Sequence, residues 1–347
     1  MPTFTISVIP GDGIGLEVVP AATRCLERVA SRHGIGLVFN EHPWGSEHYL
    51  ATGRMMPTDA LDTLAASDAV MLGAVGHPDI PDTETLWGLL IPIRRGFQQY
   101  INLRPVRTLP GVRGPLANDA PIDFLIVREN NEGEYSEIGG RLYRGSPDEI
   151  ASQLAVFTRR GVERVTRFAA RLAHARTGVL TSATKSNGII HTMPFWDEIV
   201  TELAADEDVQ VDSVLIDALA ARMVLKPESL DVVVASNLFG DILSDLGSAL
   251  TGSIGVAPSA NLNPERNFPS LFEPVHGSAP DIAGRGIANP VGQIWSGVMM
   301  LEHLGASEAA SDLMRAVEEV LSAGLATPDL GGSTTTAEFT DAVLDAI

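Results

Sequence analysis

The sequence predicts an α/β protein in two domains, with strands joined by helical crossovers. Short apolar runs alternate with amphipathic stretches for nearly the whole length, the pattern of such folds. At 347 residues the chain can bury a large core and is long enough to divide. A hydrophobic fraction of 45% with 20% charged residues is that of an ordinary globular protein and excludes global disorder.

Strands are expected at 5–9, 37–40, 69–72, 122–127, 179–181, 210–216 and 232–235, where short apolar or β-branched runs end in turn residues. Helices are expected at 15–32, 58–65, 84–98, 150–175, 188–204, 239–249, 292–304 and 308–323, where apolar residues recur at helical spacing. Two stretches break the alternation. Residues 130–149 are rich in Gly, Asn, Glu and Tyr and read as an excursion from the body. Residues 255–286 are rich in Pro, Gly, Asn and Ser and read as a long irregular segment of functional interest.

The chain starts directly as a strand, without a basic and apolar leader, and no run of about twenty apolar residues occurs. A soluble cytoplasmic protein is expected. The formal charge of −20 repels nucleic acid phosphates. The one cysteine, Cys25, falls on the apolar side of an expected helix and reads as core packing, and no CxxC or His/Cys set suggests structural zinc.

The most telling local feature is Asp241 with Asp245, four residues apart just after the apolar strand 232–235. On a helix this spacing puts both carboxylates on one face, about one turn apart, where they can converge on a hard cation such as Mg²⁺ or Mn²⁺. The alternative is a helix-dipole or capping role for Asp241 beside a solvated Asp245. Arg94, Arg95, Arg104 and Arg107 cluster in sequence, and Arg128 ends an apolar strand. Their guanidinium forks suit a small di-acid, although surface ion pairs explain any single one. Tyr135 is a candidate proton donor, and Lys185, between a strand and a helix, a candidate base. Asp217 ends the strand expected at 210–216 and can supply a third carboxylate. In the small-residue segment, His276, Gly277, Ser278, Ala279, Asp281, Ile282 and Asn289 let backbone approach a flat or phosphorylated ligand, with Asp281 able to accept ribose hydroxyls. Gly11-Asp12-Gly13-Ile14-Gly15 follows a strand and opens a helix, but its spacing is not G-x-G-x-x-G, and a tight turn explains it as well.

Taken in order, these segments resemble the β-decarboxylating dehydrogenases of (R)-hydroxy acids: the isopropylmalate, isocitrate, tartrate and D-malate enzymes. The resemblance runs from Ile9-Pro10-Gly11-Asp12-Gly13-Ile14-Gly15 to Ile287-Ala288-Asn289-Pro290 and the helix beyond. It implies the isopropylmalate dehydrogenase-like two-domain fold with a mixed sheet, not a Rossmann domain. One domain would comprise 1–101 with 253–347, and the other 102–252, with an arm after Tyr135. It further implies a homodimer with shared active sites. Arg94, Arg104 and Arg128 would clamp the substrate carboxylates. Asp241 and Asp245, with Asp217 of the other subunit, would hold Mg²⁺ or Mn²⁺. Lys185 would be the base and Tyr135 the acid, while the His276–Gly284 loop and Asn289 would bind the cofactor's adenosine.

Trp87-Gly88-Leu89-Leu90, Gln98–Pro105 and Ala183–Gly188 look most like the tartrate dehydrogenase/decarboxylase and D-malate dehydrogenase branch. Isocitrate is disfavoured, because the approach to Arg94 lacks the polar pair that would hold a third carboxylate. 3-Isopropylmalate is the alternative substrate, with Leu90 and Ile91 as contacts for its isopropyl group. A silent regulatory subunit is the alternative of another class, although every key residue is present. NADP-linked isocitrate enzymes typically carry Lys-Tyr where this chain has Asp281-Ile282, and a carboxylate there repels a 2′-phosphate. The purified protein is therefore expected to prefer NAD⁺; a higher kcat/KM with NADP⁺ would refute this.

Overall fold

The computed structural model describes residues 2–116 and 121–347. The chain divides into two compact units, Met1–Gln99 with Arg107–Ala117 and Ser248–Ile347, and Tyr100–Val106 with Asn118–Gly247. No helix among the described residues is long and apolar enough to cross a membrane.

The first unit opens with β1 (Thr3–Gly11), α1 (Gly15–Arg32), β2 (Gly36–Glu41), α2 (Ser46–Thr52), α3 (Ala60–Ala65) and β3 (Ala69–Ala74). β1 pairs in parallel with β2 and β3, so each return needs a crossover, and α1 supplies the first. All six residues of β3 are buried, as expected of a strand covered on both faces. α4 (Asp82–Thr85) runs through a π-helical turn at Leu86–Leu90 into α5 (Ile91–Gly96). That turn directs Leu89 and Leu90 into a core cluster with Ile9, Leu72, Ile93 and Phe97. Leu90 and Ile91 are each only 6% exposed.

The second unit holds β4 (Ile101–Arg107), β5 (Asp123–Glu129), a hairpin of β6 (Gly139–Leu142) and β7 (Ile150–Gln153), α6 (Arg159–His174), β8 (Val179–Thr184), α7 (Thr192–Asp206), β9 (Gln210–Leu215), α8 (Ile216–Leu225), β10 (Val232–Ala235) and α9 (Asn237–Leu250). Its strands run in the order β4-β5-β10-β8-β9. β10 is parallel to both β5 and β8, and β8 is parallel to β9. Two expectations change here. The helix expected at 150–175 begins only at Arg159, where Thr158 caps it by accepting from the Gly161 amide; residues 150–153 pair in the hairpin instead. Asp217 does not end a strand: β9 stops at Leu215, and Asp217 sits in the first turn of α8, where an acid favours the helix dipole.

The chain then returns to the first unit with β11 (Pro258–Leu262), β12 (Ser270–Pro274), α10 (Val291–His303), α11 (Ser307–Ser322) and α12 (Thr336–Ala346). The segment expected to be irregular thus contains two strands, every residue of which is buried. β12 is parallel to β3 but antiparallel to β11, which makes this unit's sheet mixed. Cys25 is fully buried in α1, and burial pushes its thiol up to about 12.

Glu129, the last residue of β5, is fully buried. It accepts from the amides of Asn131 and Glu132, and Arg164 approaches at 3.6 Å. Burial nevertheless outweighs these and pushes its pKa up from 4.5 to about 8. The folded state therefore holds a proton that the unfolded chain releases. Stability from this group is full below about 4.5 and is lost as pH rises toward about 8. Urea unfolding at pH 5.5 and 8 is expected to show a decline in the native protein that Glu129→Gln flattens; parallel declines would refute it.

Candidate active site

The site in the second unit is built where β5 and β10 end side by side. Ala235 lies in register with Arg128, so the chain leaving β10 enters α9 directly above that arginine. Gly240 makes this possible: a Cβ there would lie 2.6 Å from the Arg128 Cβ. Arg128, only 2% exposed, cannot be left unpaired at such depth. Its Nε and Nη2 donate to Asn237 Oδ1 at 3.1 and 2.6 Å, and its Nη1 donates to Asp241 Oδ1.

Arg104 reaches the same helix from β4. Its Nη1 donates to Ser244 Oγ at 2.5 Å and to Asp241 Oδ1 at 3.3 Å, and lies 3.6 Å from Asp245 Oδ1. Asp241 and Asp245 therefore do share a helix face. Burial raises the Asp245 pKa, opposed by the Arg104 guanidinium and assisted by Asp241. The Tyr135 hydroxyl donates to Asp241 Oδ2 at 2.8 Å, with Arg128 5.5 Å from its ring centroid. Burial is the main cause of a raised Tyr135 pKa, and the Asp241 carboxylate adds to it. Arg104, Arg128, Tyr135, Asp241 and Asp245 are thus brought together, with two cations facing two carboxylates.

Lys185 and Asp217 form a separate pair in this unit, Nζ to Oδ1 at 2.7 Å, with side chains 30% and 66% exposed. Lys185 holds the Asp217 carboxyl below its usual range. Among the described residues of one chain, no three acidic, His or Cys side chains converge for a metal ion. The donor chemistry still fits Mg²⁺ or Mn²⁺: Asp241 and Asp245 offer only hard oxygens and are already drawn to positive charge.

The first unit carries the remaining candidates. Arg94 is buried on α5 and donates to Glu273 Oε1 at 2.9 Å; the same oxygen accepts from Asn261 Nδ2 at 2.7 Å. Arg95 and Arg107 have other work, Arg95 over the Trp87 ring and Arg107 between Glu318 and Trp295. The Gly11–Gly15 turn is a scaffold for the small-residue segment. Asp12 is buried and ties down Ser46 and the Gly76 amide. The Ile14 amide donates to the Ser278 carbonyl at 2.9 Å. Gly13, at φ +54°, could not carry a Cβ, which would meet that carbonyl at 2.0 Å. Ala279 and Ile282 pack on Ile14 and Val18. Asn289 is held by Asp329 at 3.0 Å and accepts from the Val291 amide, while Asp281 is exposed. His276 is buried, burial lowers its pKa, and its Nε2 has no partner among the described residues. A neutral ring nitrogen beside the open face of Gly277 fits a nucleobase amine.

Sequence reasoning missed Asn237, Ser244 and Glu134. Glu134 accepts from Ser236 Oγ at 2.8 Å and from the Leu238 amide at 3.1 Å. The spacing of Asn237 and Ser244 around Asp241 was the available signal, since all fall on one helix face.

The isocitrate/isopropylmalate dehydrogenase family model matches residues 5–343. The chain is 54% identical to a probable tartrate dehydrogenase/decarboxylase of Bacillus subtilis, covering 99% of this chain and 98% of that one. It is also 54% identical to the D-malate dehydrogenase [decarboxylating] of Escherichia coli, again over 99% and 98%. The isocitrate dehydrogenase of Methylococcus capsulatus superposes with a TM-score of 0.90 at 35% identity, covering 99% of both chains. The chain therefore belongs to the isocitrate/isopropylmalate dehydrogenase family, has that family's fold, and is an enzyme of its decarboxylating-dehydrogenase kind.

Proposed function

We propose that the protein oxidises a small (R)-2-hydroxy di-acid, tartrate or D-malate, with NAD and a divalent cation, and that D-malate leaves as pyruvate and CO₂. The observation that carries this is the convergence of Arg104, Arg128 and Tyr135 on the Asp241 carboxylate. Two buried guanidinium groups there can bind substrate carboxylates bidentately, with a phenol held in its protonated form beside them.

Asp241 and Asp245, with Asp217 of the other subunit, would hold the cation, whose chemistry would be to withdraw electrons from the substrate oxygens, and NAD would be the hydride acceptor. The chain's own residues do the rest. Arg94, Arg104 and Arg128 together clamp the two carboxylates of the di-acid. Lys185, as the neutral amine left once its own proton has gone to solvent, accepts the C2 hydroxyl proton; its hydrogen bond with Asp217 orients Nζ. Tyr135 returns a proton to the carbon that loses CO₂. The His276–Gly284 loop and Asn289 receive the NAD adenosine. The subunits act as a homodimer in which Lys185 and Asp217 serve the partner's site. A silent regulatory subunit would lack these groups.

The test is a kinetic panel of D-malate, the tartrate isomers, 3-isopropylmalate and isocitrate, each with NAD⁺ and Mn²⁺ or Mg²⁺. D-malate or tartrate is expected to lead, and EDTA stripping to abolish turnover. A hundredfold lead for 3-isopropylmalate in kcat/KM, about 2.7 kcal/mol, would overturn the substrate assignment. Lys185→Ala is expected to cut hydride transfer by about 10³-fold, whereas Tyr135→Phe slows the final protonation. Equal losses at both steps in both variants would refute the separate roles.

A further inference from the structure

We propose that Glu134 is a positioning residue for the proton donor, fastening the Tyr135 segment to the N-terminus of α9. Both of its carboxylate oxygens are engaged there. Oε1 accepts from Ser236 Oγ at 2.8 Å, and Oε2 accepts from the Leu238 amide at 3.1 Å. The first amides of a helix have no partner within it, and the dipole favours an anion at this end. Glu134 thus completes α9 from outside. On its other side, its own carbonyl accepts from Gln153 Nε2 of β7 at 2.8 Å, so the residue joins hairpin, donor segment and helix.

The next residue along the chain is Tyr135, and one turn into α9 is Asp241, its hydrogen-bond partner. A two-point tie at Ser236 and Leu238 fixes the distance between the backbone that carries the phenol and the helix that carries the carboxylate. Asp241 cannot do this alone. Its oxygens also accept from Arg104 and Arg128, and the proposed function assigns the same group to a cation. The phenol therefore needs a support that does not change hands during the reaction. Glu134 provides it, and the Asn237 side-chain donation to the Glu132 carbonyl at 3.2 Å reinforces it.

This inference rests on the proposed function and is tested at the proton-transfer step. Exchange of pyruvate methyl protons with D₂O on the enzyme, measured by NMR with NADH and Mg²⁺ and corrected for the enzyme-free rate, reports the proposed donor without net oxidation. NADH formation from D-malate in a single turnover reports the hydride step. Glu134→Ala is expected to slow methyl exchange about tenfold more than hydride transfer, and to speed hydrogen exchange at the Leu238 amide about tenfold. Glu134→Gln keeps one acceptor oxygen and is expected to recover most of both. A merely structural role lowers the two chemical rates by one factor, and that result, or no change in either, overturns the proposal. A native protein inert with D-malate and pyruvate would sink the functional reading itself, with the proposal falling with it.

Discussion

The Asp241 carboxylate is the point on which the second unit's chemistry turns. It accepts from two buried arginines on different strands and from the tyrosine of a third segment. Each guanidinium would be costly to bury without a charged partner, and Asp241 answers part of both demands. On the same helix, Asn237 accepts from Nε and Nη2 of Arg128, and Ser244 shares Arg104 Nη1 with Asp241. The helix is thus a polar template that gathers groups from distant parts of the chain, held in low-dielectric surroundings where their interactions are strong. The raised pKa of Tyr135 follows from the same arrangement, since burial and the adjacent anion both favour the protonated phenol.

The template needs an unyielding base, which the buried strands supply. All four residues of β10 are buried, and their parallel pairing with β5 sets Arg128 opposite the start of α9. Close backbone approach then matters more than side-chain chemistry. Without a side chain at Gly240, the helix settles directly against Arg128. Gly13 serves the other unit in the same way, letting the Gly11–Gly15 turn brace the Ser278 carbonyl. Neither glycine carries a side chain, yet each sets where functional atoms lie.

Much of this was legible in the amino-acid order. β10 was found with both its ends, α1 likewise, and the shared face of Asp241 and Asp245 followed from helical spacing. The losses have physical causes. β11 and β12 are built from Pro, Ser, Asn and Glu as much as from apolar residues, and their buried polar groups find partners inside the protein, as Asn261 does with Glu273. Composition therefore read as loop. The run at 150–153 mimics helical periodicity but pairs across the hairpin, because non-local hydrogen bonds override a local pattern. Asp217 was misplaced by two residues because an apolar strand running into an apolar helix offers no boundary signal. Arg128 declared itself through its isolation at the tip of an apolar strand, whereas Glu134 sat unnoticed among other acids.

The lone thiol of Cys25 lies sealed inside α1, with ionisation displaced to about 12. At neutral pH it is a poor target for maleimides and oxidants alike, since both require accessible thiolate. The native chain is accordingly a silent background for single-cysteine chemistry. A fluorophore or spin label placed on the hairpin of β6 and β7 would report that hairpin alone, with no competing signal from within the fold.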